Sequence, residues 1–178
     1  MPLTDFWWIL RWWGTLFFVG AAAYPLTKRL FPHWHDAGYF FAKAVGMAVV
    51  TWVVYVLGMS KLAPFNAVTV TMAVIGVFLV GITLHQISVG SRKEISEWKR
   101  TVFKLIIEES IFLAALFFWS WVKAHEPSIR GLEKFMDYGF MQSALRGTYF
   151  PPMDMWYPPF PVNYYYFGHL VTAILTKL

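Results

Sequence analysis

Four runs of seventeen to nineteen mostly apolar residues, separated by short polar connections, constrain this chain more than any single motif. They cover Phe6–Tyr24, Phe40–Leu57, Val68–Leu84 and Leu105–Val122. A hydrocarbon core of ~30 Å needs about 17–25 helical residues to cross, so each run sits near the lower end of a span. Inside lipid no water satisfies the backbone N–H and C=O groups, and a segment of this kind closes its hydrogen bonds as a helix. The predicted fold class is all-α and polytopic, with four full spans and the start of a fifth at Tyr164–Leu178. The 16 residues from Asn163 to Leu178 reach about 24 Å as a helix. The expectation is therefore a single membrane domain over residues 1–178 that forms the N-terminal piece of a longer chain.

Composition agrees. The chain is 58% hydrophobic and 14% charged, where soluble domains have about 45–50% and about 25%. Ala21-Ala22-Ala23 imitates a signal-cleavage site, but Asp5 precedes the first run and Arg11 lies within it, unlike a secretory leader. The net charge of +5 is read as membrane topology and not as nucleic-acid binding, because the basic residues cluster in loops. Loops Lys28–Lys43 and Arg92–Lys104 carry eight Lys or Arg residues. The other side has Arg11, Lys61, Lys123, Arg130, Lys134 and Arg146, interleaved with acids. The positive-inside tendency then makes the first group cytoplasmic and the 123–163 loop extracytoplasmic. Ser91–Lys104 is polar with apolar Ile95, Trp98, Val102 and Phe103, the pattern of an interfacial amphipathic helix leading into the fourth run. Cysteine is absent, which excludes disulfides and thiolate metal sites.

The polar stretch Glu126–His169 differs from everything before it. It holds four of the ten acids and six of the ten prolines. Arg130, Glu133 and Asp137 are spaced three and then four apart, which predicts one face of a re-entrant or surface helix near Gly131–Leu145. Two carboxylates one turn apart repel, which makes one a better proton acceptor near neutrality; Arg130 can tune the pair, or a divalent metal can bridge it. The competing reading is a solvated salt-bridge face with Lys134. Five prolines between Pro151 and Pro161 stiffen the next loop and can hold Asp154 and Trp156, a carboxylate beside an aromatic face that suits a sugar ring or lipid headgroup. An interfacial aromatic belt explains the same residues. Asn163, Tyr164, Tyr165, Tyr166 and His169 stand at the mouth of the fifth segment, where His169 can bind phosphate, shuttle a proton or simply serve a helix start.

Other charged residues read as structural. Glu108 has Lys104 four residues before it, whereas Glu109 has no partner nearby in sequence, which leaves another helix as a candidate contact. His33 and His35 with Asp36 are too few ligands to predict a metal site.

At Asn163–His169, NYYYFGH, the sequence resembles a bacterial and archaeal membrane-protein family named for its Tyr-Tyr-Tyr motif, a family of unknown function. The resemblance extends through Pro25-Leu26-Thr27, DAGYFFAKAVG at Asp36–Gly46, Glu109–Phe112, Glu133–Asp137 and Phe150-Pro151-Pro152-x-Asp154-x-Trp156. Phe135 stands where a proline is expected, and Met155 with Tyr157-Pro158-Pro159 replaces Asp-Pro-Trp and a glycine turn. The resemblance implies the GT-C superfamily of prokaryotic membrane glycosyltransferases that use polyprenyl-phosphate-linked sugars. On that basis Asp137 or Glu133 is the expected general base, with Asp154 as a further catalytic candidate. Arg130, Trp156, Asn163, Tyr164–Tyr166 and His169 are expected to bind substrate, with membrane lipid and the lipid-linked sugar as partners. The alternative expectation is a non-enzymatic scaffold or lipid-binding subunit of an envelope assembly. A transporter is disfavoured because the carboxylates lie in a loop and not midway along the spans.

Overall fold

A computed structural model describes residues 3–86, 95–131 and 133–178. Among these the chain is all-helical, with α1 (Leu3–Leu30), α2 (Tyr39–Met59), α3 (Ala67–Gln86), α4 (Ile95–His125), α5 (Lys134–Arg146) and α6 (Phe167–Lys177). Two helices, α2 and the Ala67–Leu84 part of α3, are long and apolar enough to cross a membrane. The helices α1 and α4 have 28 and 31 residues, beyond the length a span requires, but carry more charge. Residues 95–104 of the expected amphipathic segment are helical and form the first turns of α4; residues 91–94 of that expectation lie outside the described residues.

The chain divides into two compact units. One comprises Met1–Gly46 and Val77–Pro127, the other Met47–Gly76 and Ser128–Leu178. In the first, α1 packs on α4 and also against the start of α2 through small residues. Val19, Ala22, Ala23 and Ala42 are buried. A Cβ added at Gly46 would lie 2.9 Å from both the Val19 carbonyl and the Ala23 Cβ. Close backbone approach through small residues is how helices associate where the solvent is as apolar as the side chains. The turn into α2 depends on Asp36, whose carboxylate accepts from the Gly38 N–H at 3.0 Å and the Phe40 N–H at 2.5 Å, satisfying donors that a helix start leaves open. Gly38 has φ +82°, and a Cβ there would meet the Thr27 carbonyl at 2.8 Å, so this turn requires glycine. Arg29 Nη1 donates to the Leu84 carbonyl at 2.8 Å, supplying a cation to the last turn of α3.

In the second unit α5 packs on α6. Phe140 and Ala144 on α5 and Leu170, Ala173 and Ile174 on α6 are buried, at the three- and four-residue spacings of one helix face. Val50, Val54, Val70 and Phe150 of the same unit are also buried. The chain between α5 and α6 is tied down by backbone bonds: Phe65 N–H to the Thr148 carbonyl at 2.7 Å, and Phe150 N–H to the Gly58 carbonyl at 3.3 Å. Gly58 leaves room for the Phe150 ring, which would occupy the place of a side chain.

Gly46→Ala is expected to lower the thermal midpoint of the detergent-solubilised protein, by an overpacking cost of about 1–3 kcal/mol. Gly14 has nothing within 4 Å of its virtual Cβ. Gly14→Ala should therefore leave the midpoint unchanged or raise it, by up to about 1 kcal/mol of helix propensity. Equal losses in both variants would show that the α1–α2 approach does not depend on Gly46.

Candidate functional site: a carboxylate–histidine pair on the 128–169 loop

The second unit brings Asp137, near the start of α5, to His169, in the first turn of α6. His169 Nε2 and Asp137 Oδ1 lie 2.9 Å apart. An ionised carboxylate only accepts hydrogen bonds, so Nε2–H donates to it. The His169 Nδ1 is buried with no hydrogen-bond partner among the described residues. The Asp137 side chain remains 54% exposed and that of His169 only 15%; the imidazole is held inside while the carboxylate stays within reach of water.

Phe140 holds this pair in place. It is 2% exposed, one turn beyond Asp137 on α5, and its ring lies 5.2 Å from His169, 5.5 Å from Tyr164 and 5.6 Å from Trp156. The Tyr164 and Tyr165 rings stack at 4.2 Å. The adjacent Tyr165 phenol holds that of Tyr164 above the usual tyrosine range. Tyr166, just before α6, is turned the other way. It packs on Tyr55 and Phe150, and burial, with the nearby Tyr55, pushes its phenol up. Three consecutive tyrosines thus divide into two outward aromatic faces and one core side chain.

Asp154 has a local task. Its Oδ1 accepts from the N–H groups of Trp156 at 2.8 Å and Tyr157 at 3.1 Å, an Asx turn. The turn is closed by Asp154 N–H to the Phe160 carbonyl at 2.8 Å and Val162 N–H to the Pro152 carbonyl at 2.9 Å. The peptide bonds before Pro151 and Pro159 are cis. Asp154 also lines a cleft of about 430 Å³ with Phe135, Tyr138, Gln142, Arg146 and Met155. Gly139 opens that wall, because the Met155 side chain fills the place of a Cβ.

The expected Arg130–Glu133–Asp137 helix face is only partly formed. The helix begins at Lys134 with Glu133 as its cap residue, so Arg130 precedes it, its N–H donating to Ser128 Oγ at 3.1 Å. Arg130, Glu133 and Asn163 are exposed. Tyr164 and Tyr165 likewise precede α6 and do not share a helix face with His169. Spacing alone missed the Asp137–His169 contact, since a loop of such length hides which turn of α5 meets which turn of α6.

The first unit contains a second polar centre that the sequence left open. Glu109 is 9% exposed and accepts from three helix-borne or helix-start donors: Trp13 Nε1 at 3.1 Å, the Tyr39 hydroxyl and the Lys43 ammonium. Lys43 also lies over the rings of Tyr39 and Phe112, at 5.0 and 4.8 Å. The partner that Glu109 lacked in sequence is Lys43. A cleft of about 780 Å³, lined by Trp13, Phe17, Tyr24, Tyr39, Glu109 and Leu113, opens beside it. Lys104, expected to pair with Glu108, instead donates to the His35 carbonyl at 2.9 Å.

Long apolar helices with charges held in hydrogen-bonded centres define an all-helical membrane protein. The model of the family described as Uncharacterized membrane protein (DUF2298) matches residues 47–178, and the chain belongs to that family. No curated protein and no solved structure matches it.

Removing one partner of a buried ion pair leaves the other uncompensated, at about 3–5 kcal/mol. Lys43→Met is therefore expected to lower the thermal midpoint sharply. The double variant Lys43→Met/Glu109→Leu should recover part of that loss. A double variant as unstable as the sum of the single ones would mean that the two groups do not interact.

Proposed function

We propose that the protein is a GT-C-type glycosyltransferase that moves a sugar from a polyprenyl-phosphate-linked donor to an extracytoplasmic acceptor. The resemblance of its loop motifs to the Tyr-Tyr-Tyr family supports this reading. The observation that carries it is the Asp137–His169 contact, which joins two of those motifs, Glu133–Asp137 and Asn163–His169, at a half-exposed carboxylate. In this reading α1 and α4 cross the membrane as α2 and α3 do, with Arg11 over the Trp8 ring at 5.2 Å and Glu109 matched by Lys43. The 123–163 loop then lies outside the cell.

Asp137 takes the proton of the acceptor hydroxyl as that oxygen attacks the anomeric carbon. The bond from that carbon to the lipid phosphate breaks, and polyprenyl phosphate leaves with the electron pair. His169 positions Asp137, because its Nε2 is committed to the carboxylate and its Nδ1 is buried. Glu133 adds negative potential near the site. Arg130 and the exposed Tyr164 and Tyr165 are left for the lipid phosphate, and Trp156 for the sugar. Asp154 contributes by shaping the loop.

The second reading is a lipid-binding scaffold. It draws support from the exposed aromatics Trp156, Tyr157, Phe160 and Tyr165, the residue types of a membrane–water interface.

Transfer from a panel of polyprenyl-phosphate sugars in liposomes distinguishes the two. Asp137→Asn is expected to lower the rate by about 10²–10⁴-fold, the usual contribution of a general base, and Glu133→Gln by much less. His169→Ala should lower the rate at saturating donor and leave the donor KM unchanged; a raised KM alone would make His169 a phosphate ligand instead. Full activity in Asp137→Asn would remove the proposed base. Failure of every donor with the correctly folded protein would favour the scaffold.

A further inference from the structure

His35 and Asp36 lie on the connection between α1 and α2, and Glu108 lies on α4. The fold brings one ligand atom from each to within 4.8 Å of the others. His35 Nε2 and Glu108 Oε1 are 3.4 Å apart, long for a hydrogen bond, whose usual N···O distance is about 2.9 Å. Two ligands on a tetrahedral ion with bonds of about 2.0–2.2 Å stand about 3.3–3.6 Å apart. A second observation points the same way. The other oxygen of Glu108, Oε2, is buried and has no hydrogen-bond partner among the described residues, an arrangement that costs free energy unless a donor or cation meets it. The nearby ammonium of Lys104 donates to the His35 carbonyl.

We propose that His35, Asp36 and Glu108 bind a divalent cation. Asp36 is 3% exposed and its carboxylate is oriented by the Gly38 and Phe40 N–H groups, as ligating carboxylates usually are. Those two bonds leave lone pairs on both oxygens. The His35 side chain is 65% exposed, which gives an ion a path in and leaves positions for water. One imidazole with two carboxylates suits a first-row transition ion, zinc or manganese, better than magnesium or calcium, which favour all-oxygen shells. Bound there, the ion ties α4 to the α1–α2 connection. This site is independent of the glycosyltransferase reading and uses none of its residues. The HxH pair gave too few ligands in sequence, because the third lies on a helix much later in the chain.

The test is metal content and thermal stability of the tag-free protein in detergent, stripped with a chelator and dialysed against zinc or manganese. Retention of one ion per chain with a raised thermal midpoint is expected. His35→Ala and Glu108→Gln should each lose both the ion and the shift, whereas His33→Ala keeps them. Wild type that retains neither metal overturns the proposal. So does undiminished binding in His35→Ala, or loss in His33→Ala equal to that in His35→Ala. Should Glu108→Gln fail to fold, His35→Ala decides alone, because its side chain is largely in solvent.

Discussion

A charge among apolar helices has to be matched, and in the first unit that requirement falls on Glu109. An isolated carboxylate in hydrocarbon is costly; here three donors, one from α1 and two from the first turns of α2, converge on it. The match fixes which turn of α4 faces α1 and α2, since slipping α4 by one residue would turn the carboxylate away from Lys43. The small residues at Val19–Ala23 and Gly46 then set how closely the helices approach. Polar pairing specifies register and small side chains allow contact, a division of labour suited to helices whose surroundings are as apolar as their own faces.

The second unit solves a different problem. Its loop carries little continuous hydrophobic sequence and still holds a defined shape. Asp154, the prolines and the backbone bonds of Phe65 and Phe150 close the loop locally, and Phe140 joins it to α5 and α6. Because Phe140 touches Trp156, Tyr164 and His169 together, the aromatic residues that look like an interface belt in sequence are partly an internal scaffold. The half-exposed Asp137 is then presented on a rigid support, the placement that the proposed proton acceptor needs.

Much of this was legible from residue order. The apolar runs placed α2 and α3 to within two residues at each end and fell inside the longer α1 and α4, the latter starting ten residues before its run, and the expected surface helix near Gly131–Leu145 is α5. Motif spacing went astray where it assumed a helix that had not begun. Arg130 falls before α5, so it does not join the face assigned to it. The partner of Glu108 was misassigned for a related reason: an i,i+4 neighbour is only the nearest choice in sequence, and Lys104 reaches the His35 carbonyl instead.

What the sequence determined by itself is the class: an all-helical membrane chain, because burial in lipid follows from composition and from the length of the apolar runs. Which polar groups meet was decided only by the tertiary structure. Asp137 with His169, Glu109 with Lys43, and Glu108 with His35 and Asp36 are each separated by many residues. Their pairing depends on helix packing and rotation, and neither is encoded in any local window of the chain.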